Sequence, residues 1–200
     1  MLKYCGSGND SILQGVFEVR FHGRGGQGAV TASQLLVKAA FLEGKWGQSI
    51  PMFGAERRGA PVLAFARISG QPIRRHMQVY EPDAVVVLDP KIFAVHDVTA
   101  GLKSRGYLVV NEKRKPSQLG FKGYKIGVVD ATGIAVDLGL YFAGFPAVNT
   151  AMIGALAKAT GIVSIESIVK AIKSTWKGKL GELNAKAAEK AYNEIVVEEV

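Results

Sequence analysis

Short apolar stretches recur along the chain, and longer segments with helical spacing lie between them. Residues 16–22 (VFEVRFH) alternate apolar and polar side chains, which predicts a first β-strand. Residues 84–88 (AVVVL) are continuously apolar, as expected for a parallel strand that is covered on both faces. Similar short stretches predict further strands at residues 46–50, 62–68, 107–110 and 126–129.

Helical patterns follow several of these strands. Residues 29–43 are rich in alanine and leucine and form a broad apolar face, which predicts a helix directly after the first strand. Another helix is predicted around residues 93–104, and the chain after residue 131 is predicted to be helical, at residues 134–140, 147–158, 165–176 and 180–197. The alternation predicts an α/β fold in one domain: a doubly wound, mainly parallel sheet with helices on both faces and a helical C-terminal part.

The composition narrows the possible functions. The chain has 200 residues and a formal net charge of +8, so its surface attracts anions. Its lysines and arginines are spread along the sequence without an arginine-rich arm, which argues against nucleic-acid binding. No segment offers the roughly 20 apolar residues that span a bilayer, and the start does not resemble a signal peptide, so we expect a cytoplasmic protein without membrane contact.

Cys5 is the only cysteine of the chain. One thiol cannot form an internal disulfide, and it cannot hold an iron–sulfur cluster or a zinc site. The histidines lack metal-ligand spacing, and we expect each at a strand end or on the surface: His22, His76 and His96. We therefore expect neither catalytic residues nor metal ligands in this chain, and any redox cluster must belong to a partner.

A glycine loop lies between the first predicted strand and helix. Gly23, Gly25 and Gly28 fit the spacing G-x-G-x-x-G, and a helix start presents unpaired N–H groups to an anion, beside which Arg24 adds positive charge. A dinucleotide site also requires an acidic residue at the end of the second strand, and here that strand runs into Pro51. NAD or FAD binding is therefore disfavoured. The alternative, that the glycines only let the helix pack against the strand, stays open.

A second unusual segment connects two predicted strands at residues 51–61 (PMFGAERRGAP). Two adjacent arginines on an extended chain face opposite ways, so Arg57 and Arg58 cannot both turn inward. One can pair with Glu56 while the other meets an anion or a carboxylate of a partner. A solvated loop with a local salt bridge is the alternative.

The segments FHGRGGQGAVTASQLL (21–36) and PMFGAERRGAPV (51–62) resemble the gamma subunit of 2-oxoacid:ferredoxin oxidoreductases, the pyruvate enzyme foremost. The likeness continues through VVVLDP (85–90), NTAMIGALAKATG (149–161) and NAKAAEKAY (184–192), in order. Only residues 1–15 lie outside it. We expect those residues to be an N-terminal extension, and residues 16–200 to form the gamma-type domain.

The resemblance implies a reaction carried out by a complex. These enzymes convert a 2-oxoacid and coenzyme A into an acyl-coenzyme A, carbon dioxide and reduced ferredoxin. Thiamine diphosphate with Mg and the [4Fe–4S] clusters are expected on partner subunits of an assembly of alpha, beta, gamma and delta subunits, with ferredoxin as the electron acceptor. Pyruvate is the expected substrate. The alternatives are a 2-oxoisovalerate or other 2-oxoacid complex, or a stand-alone nucleotide-binding oxidoreductase.

The resemblance also implies that this chain packs beside the thiamine-bearing core, where it can contact coenzyme A. Coenzyme A carries several phosphate charges, which suit a basic subunit. The residues expected to contact coenzyme A or another anion are Arg24, Gly25, Gly26, Gln27, Gly28, Arg57 and Arg58. Glu56 is expected at a subunit interface. Asp89 follows a predicted strand, and a turn or capping role is the usual explanation for such a residue.

Overall fold

The computed structural model describes residues 15–52, 59–75 and 77–200, and these residues form a seven-stranded sheet, a two-stranded hairpin and five α-helices. The strands of the main sheet are β1 (Val16–Arg24), β2 (Trp46–Pro51), β3 (Pro61–Ser69), β4 (Ala84–Val87), β5 (Tyr107–Asn111), β6 (Lys125–Val129) and β9 (Val196–Glu199). The hairpin consists of β7 (Tyr141–Phe142) and β8 (Phe145–Pro146). The helices are α1 (Ala29–Leu42), α2 (Ala131–Asp137), α3 (Asn149–Thr160), α4 (Ile165–Thr175) and α5 (Gly178–Glu194).

The strand order in the main sheet is β2-β3-β1-β4-β5-β6-β9. Strands β1, β4, β5 and β6 are parallel neighbours, whereas β3 is antiparallel to both β1 and β2, and β9 is antiparallel to β6. Only β3 and β9 therefore oppose the common direction of the other strands. The predictions of an α/β fold, a mainly parallel sheet and a helical C-terminal part are confirmed.

All five α-helices contribute to the hydrophobic core on one face of the sheet. The centre of this layer is α3, in which Asn149 to Ala157 are all buried, as expected for a helix with apolar residues around its whole circumference. Gly154 lets α5 approach α3 closely, because a Cβ atom there would overlap the carbonyl oxygen of Ala188. Among the helices of the described ranges, none combines the length and apolar character needed to cross a bilayer.

The other face of the sheet, for which the sequence also predicted helices, carries no α-helix among the described residues. The α-helix predicted at residues 93–104 is wrong: a short 3₁₀ helix, Pro90–Ala94, is followed by turns. Asp97 accepts hydrogen bonds from the backbone N–H of Thr99 at 2.9 Å and from its hydroxyl at 2.6 Å. Such local bonds compete with helical hydrogen bonds. Turns and 3₁₀ helices, not α-helices, therefore cover this face, through side chains that include Ile92, Val98, Leu102 and Leu119.

The end of the described chain also differs from the prediction. The helix expected at residues 180–197 ends at Glu194, and β9 then pairs with β6. The β-branched residues Ile195, Val196 and Val197 favour an extended backbone over a helix. The hairpin β7–β8 was not predicted; it lies between the helices predicted at residues 134–140 and 147–158.

A buried ion pair joins β1 to β3 on the face that lacks α-helices. Arg67 Nε lies 2.7 Å from Glu18 Oε1, and the two side chains are 1% and 11% exposed. The Arg67 guanidinium also donates to Gln48 Oε1 and to the carbonyl oxygens of Arg75 and Gln78. Since removing one partner of a buried pair leaves the other charge uncompensated, this pair constrains the sheet strongly.

We predict that Glu18→Gln lowers the free energy of unfolding by about 3 kcal/mol, because it leaves the Arg67 charge without its carboxylate. The matched control is Glu199→Gln, which removes the carboxylate of the exposed Arg105–Glu199 pair and should cost less than about 1 kcal/mol. Urea denaturation of both variants measures the difference. Equal losses of unfolding free energy in the two variants would show that the buried Glu18–Arg67 pair stabilises the protein no more than the exposed pair does.

Candidate functional site

A crevice lies at the edge of the sheet where the parallel strands end. Arg24, Asp89, Asn111 and Asp130 stand at or just beyond the carboxyl ends of β1, β4, β5 and β6, respectively. Adjacent parallel strands bring such residues to the same edge, and ligands of open α/β sheets bind there. The first turns of α1, α2 and α3 contribute Thr31, Thr132 and Asn149 to the lining of the cavities in this crevice.

The glycine loop follows β1 and is held by its own residues and by the two residues that precede β3. Gln27 accepts a hydrogen bond from Arg24 N–H at 2.8 Å and donates its own N–H to the Arg24 carbonyl at 3.0 Å. Gly25 donates to the carbonyl of Ala60 at 2.8 Å and accepts from Gly59 N–H at 3.3 Å. The loop is therefore already shaped before any ligand binds.

Gly28 requires its glycine for two reasons. Its φ of 79° is left-handed, and a Cβ atom there would lie 2.6 Å from Nδ2 of Asn149. Asn149 is buried at the start of α3, so this close approach joins the glycine loop to the C-terminal helices. The packing explanation for the glycine at position 28 thus has direct support, and it is compatible with an anion beside the loop.

Arg24 does not present a free positive charge. Its Nε donates to Asp89 Oδ2 at 3.0 Å, and one terminal nitrogen donates to the carbonyl of Gly59 at 3.0 Å. Asp89 also accepts from Gln27 Nε2 at 3.3 Å and from Lys91 N–H at 2.9 Å, so it caps the 3₁₀ helix as well. The carboxylate of Asp89 therefore offsets the charge that the sequence places beside the loop.

Asn111 couples three elements beneath the crevice. Its buried amide donates to the Leu88 carbonyl and to Thr132 Oγ1, both at 2.9 Å, and accepts from Thr132 N–H at 3.1 Å. Next to it, the Arg114 guanidinium lowers the pKa of Glu112 by hydrogen bonding, in spite of partial burial. Glu112 therefore stays ionised and is suited to hold the loop rather than to transfer protons.

Two cavities open in the crevice, and Gln27 lines both. The first, of about 390 Å³, has a mixed set of charges from Asp89, Lys91, Glu112, Lys113 and Asp130. The second, of about 310 Å³, lies beside the N-terminus of α1. Its walls combine the glycine loop with the amides of Asn149 and Asn184 and with aromatic rings from Tyr141, Phe142 and Trp176.

The second cavity suits a ligand with an anionic part and a planar part. No hydrogen bond from the backbone N–H groups of Gly26 and Gly28 to another described residue is present, and these groups stand where a helix N-terminus favours negative charge. Aromatic faces beside them can stack on a flat ring. Tyr141 and Phe142 are 56% and 66% exposed, so their rings can contact a ligand or another chain.

The structure brings together only some of the residues expected to form the site. Residues 24–28 form one loop in the crevice, whereas Glu56, Arg57 and Arg58 lie outside the described residues. The sequence did not predict that Asn149, Asn184 and the aromatic hairpin, which is β7–β8 with Tyr141 and Phe142, belong to the site. The two asparagines begin motifs that carried the family resemblance, but an asparagine within a helical segment gives no chemical signal by itself. Within the described ranges, no group of three or more His, Cys, Asp or Glu side chains could hold a metal ion.

The family model and the similar sequences of known proteins all indicate the same family. The model of the family described as pyruvate ferredoxin/flavodoxin oxidoreductase matches residues 18–194. The pyruvate/ketoisovalerate oxidoreductases common subunit gamma of Thermococcus kodakarensis is 55% identical over 189 residues, covering 92% of this chain and 100% of the relative. Pyruvate synthase subunit PorC of Methanocaldococcus jannaschii is 57% identical over 181 residues, covering 90% of this chain and 98% of the relative.

Solved structures share the fold. The pyruvate oxidoreductase subunit PORC of Thermotoga maritima is 40% identical with a TM-score of 0.78, and the match covers 92% of this chain and 99% of that one. The 2-oxoglutarate:ferredoxin oxidoreductase of Magnetococcus marinus has a TM-score of 0.73 over 89% of this chain and 30% of that one. At 16% identity, the second likeness concerns the fold alone.

We predict that Gly28→Ala costs more stability than Gly26→Ala. Both positions are left-handed, at φ values of 79° and 96°, so each alanine should cost about 1–2 kcal/mol of strain. Only the Gly28 substitution also meets Asn149, which should add about 1 kcal/mol or more. The extra loss should shrink when Gly28→Ala is made together with Asn149→Ala. Denaturant unfolding of the set tests this, and equal losses for the two single variants would contradict it.

Proposed function

Because this chain belongs to the pyruvate ferredoxin/flavodoxin oxidoreductase family, we propose that it is the gamma subunit of a pyruvate:ferredoxin oxidoreductase. The complex converts pyruvate and coenzyme A into acetyl-coenzyme A, carbon dioxide and reduced ferredoxin. The observation that carries the proposal is identity of 55–57% over at least nine-tenths of this chain and nearly the whole length of the relatives named above. The family resemblance drawn from the sequence motifs is thereby confirmed.

The residues of this chain do not suit the redox cofactors of such an enzyme. A [4Fe–4S] cluster is held by cysteine thiolates, typically four, and this chain has Cys5 alone. We therefore assign the clusters to the alpha, beta and delta subunits, where the family resemblance also implies thiamine diphosphate with its Mg. Reduced ferredoxin as the product favours a cytoplasmic complex. This chain then contributes part of the wall and the positive charge at the entrance of the active site.

A 2-oxoisovalerate complex is a second candidate. The relative from Thermococcus kodakarensis is named as a subunit common to pyruvate and ketoisovalerate oxidoreductases, and the one from Pyrococcus furiosus has the same name at 55% identity. A subunit that serves two complexes cannot itself select the 2-oxoacid. The same role is open to this chain, and the partner subunits then determine the substrate.

We further propose that the cavity beside the glycine loop accepts part of coenzyme A. Its free backbone N–H groups suit a phosphate, and its aromatic rings suit the adenine. Since Asp89 offsets Arg24, additional positive charge has to come from elsewhere, and Arg57 and Arg58 are the candidates. Gly59, the first described residue after these two arginines in the sequence, is hydrogen-bonded to both Arg24 and Gly25, which supports testing them here.

We predict that the isolated chain does not oxidise 2-oxoacids, and that the complex needs this chain for full activity. Partner subunits expressed without this chain should reduce ferredoxin slowly or not at all with pyruvate and coenzyme A, and adding this chain should restore the rate. Replacing pyruvate by 2-oxoisovalerate with each set of partners distinguishes the two candidates. Turnover by the isolated chain would refute the proposal.

We predict that Arg57→Ala and Arg58→Ala raise the KM for coenzyme A in the assembled enzyme. Loss of a hydrogen bond between a charged side chain and phosphate should raise it roughly tenfold or more, while the KM for pyruvate stays constant. The control is Arg105→Ala, because the Arg105 side chain is 70% exposed and precedes β5 at the opposite end of the parallel strands. Unchanged KM values for coenzyme A in both variants would remove these arginines from its site.

A further inference from the structure

An exposed apolar surface lies at the mouth of the second cavity. It consists of Tyr141, Phe142 and Phe145 of the aromatic hairpin and of Leu180 in the first turn of α5, with exposed fractions of 56%, 66%, 46% and 52%. Tyr141, Phe142 and Leu180 line the second cavity, and Phe145 lines the first, so the hairpin borders both. Several large apolar side chains exposed next to one another mark a contact site for another molecule, whereas single ones do not.

The hairpin presents this apolar surface in a fixed shape. Phe142 and Phe145 are paired directly across the two strands, so their side chains project on the same side. The turn between them has a left-handed backbone at Ala143 and Gly144, with φ values of 49° and 83°, as in the tight two-residue turns of hairpins. A backbone hydrogen bond of 2.9 Å between the residues that flank the hairpin closes its base. Little conformational freedom is therefore lost when this surface binds another chain.

Two lysines at the rim of the apolar surface lack counter-charges. Lys177 and Lys179 are exposed and lie at the N-terminus of α5, next to Leu180. Neither forms a salt bridge with a described residue, and Glu182, the acidic residue of α5 nearest to them in sequence, pairs with Lys173 at 2.7 Å. A helix N-terminus carries partial positive charge, so cations there are unfavourable and anions are favourable. Carboxylates of another chain would offset both the lysines and the helix end.

The chemistry of coenzyme A indicates which chain covers this surface. The sulfur of coenzyme A is bonded to the acetyl group of the product, so it must reach the place where pyruvate is converted. The family resemblance implies that thiamine diphosphate, and with it this conversion, belongs to a partner subunit. Coenzyme A that is held in the second cavity therefore has to bridge two chains, and the partner has to stand at the mouth of that cavity.

We propose that the apolar surface docks on the subunit that holds thiamine diphosphate, against an apolar patch with carboxylates at its rim. Tyr141 and Phe142 are the anchors, since buried aromatic side chains supply much of the binding energy of protein interfaces. The carboxylates meet Lys177 and Lys179, and coenzyme A is enclosed between the two chains. An aromatic ring has two faces, so one face can contact the ligand while the other contacts the partner. The docking therefore rests on the proposed function and adds the surface through which the complex assembles.

The affinity of this chain for the partner subunits, assembled without it, tests the docking by biolayer interferometry. We expect Phe142→Glu to raise the dissociation constant about tenfold or more, because it places a charge in an apolar contact. The control is Phe41→Glu, the same exchange at an aromatic side chain that is 54% exposed and lies at the opposite end of α1 from the glycine loop. An unchanged dissociation constant for Phe142→Glu, or an equal loss of affinity for Phe41→Glu, would overturn the docking.

Lys179→Glu separates docking from folding. It places a negative charge in the first turn of α5, so the unfolding midpoint of the free chain should stay constant or rise. The same charge should repel the carboxylates of the partner and weaken binding several-fold, with a smaller effect at high salt. This variant keeps the test valid if circular dichroism shows that Phe142→Glu is unfolded. Unchanged or tighter binding by Lys179→Glu would contradict the carboxylate rim and thereby the docking.

Cross-linking identifies the subunit that covers the surface. Cys5 is the only native cysteine, so Cys5→Ser combined with Phe142→Cys leaves one thiol for a benzophenone label. Irradiation of the assembled complex should join this chain to the subunit that holds thiamine diphosphate. A cross-link to a subunit without thiamine diphosphate, or to a second copy of this chain, rejects the docking alone if the unaltered complex reduces ferredoxin with pyruvate and coenzyme A. Partner subunits that neither bind this chain nor need it for that activity reject the proposed function as well.

Discussion

The polar face of β1 sets the main constraint on this structure, because it carries ionisable side chains into the interior. These side chains occupy alternate positions: Glu18, Arg20, His22 and Arg24. Each must be neutralised, hydrogen-bonded or left uncharged, since an isolated buried charge costs several kcal/mol or more. Arg67 on β3 and Asp89 after β4 supply two of the counter-charges. The neighbours on either side of β1 are therefore fixed electrostatically as well as by backbone pairing, and the glycine loop begins from a rigid strand.

Much of the sheet could be predicted because local patterns determine where a strand lies. Strands β1, β3 and β4 begin within one residue of their predicted starts. Strand order could not be predicted, because the insertion of β3 between β2 and β1 depends on long-range pairing. The helix expected at residues 93–104 failed for a local reason, the competing turn at Asp97. The strand β9 was missed because its pairing with β6 determines its conformation.

The sequence predicted the glycine loop of the candidate site, but it did not predict the residues that contact this loop. Residues 24–28 carry a spacing with a known physical role, so the sequence identifies them. The partner of Arg24, however, is 65 residues away, and that ion pair changes the charge at the loop from positive to nearly balanced. Asn149 and the aromatic hairpin approach from the C-terminal part. Only the folded chain shows that they face the glycines.

The two outermost strands have a consequence for how the free subunit behaves before it meets its partners. Outer strands of a sheet offer unpaired backbone groups to other molecules and so promote self-association and aggregation. Here β2 is six residues long and ends in Pro51, which lacks an N–H donor. At the other side, β9 has four residues and ends in Glu198 and Glu199. Short length, proline and charge all discourage the addition of a strand from another molecule, so neither outer strand favours self-association of the free subunit.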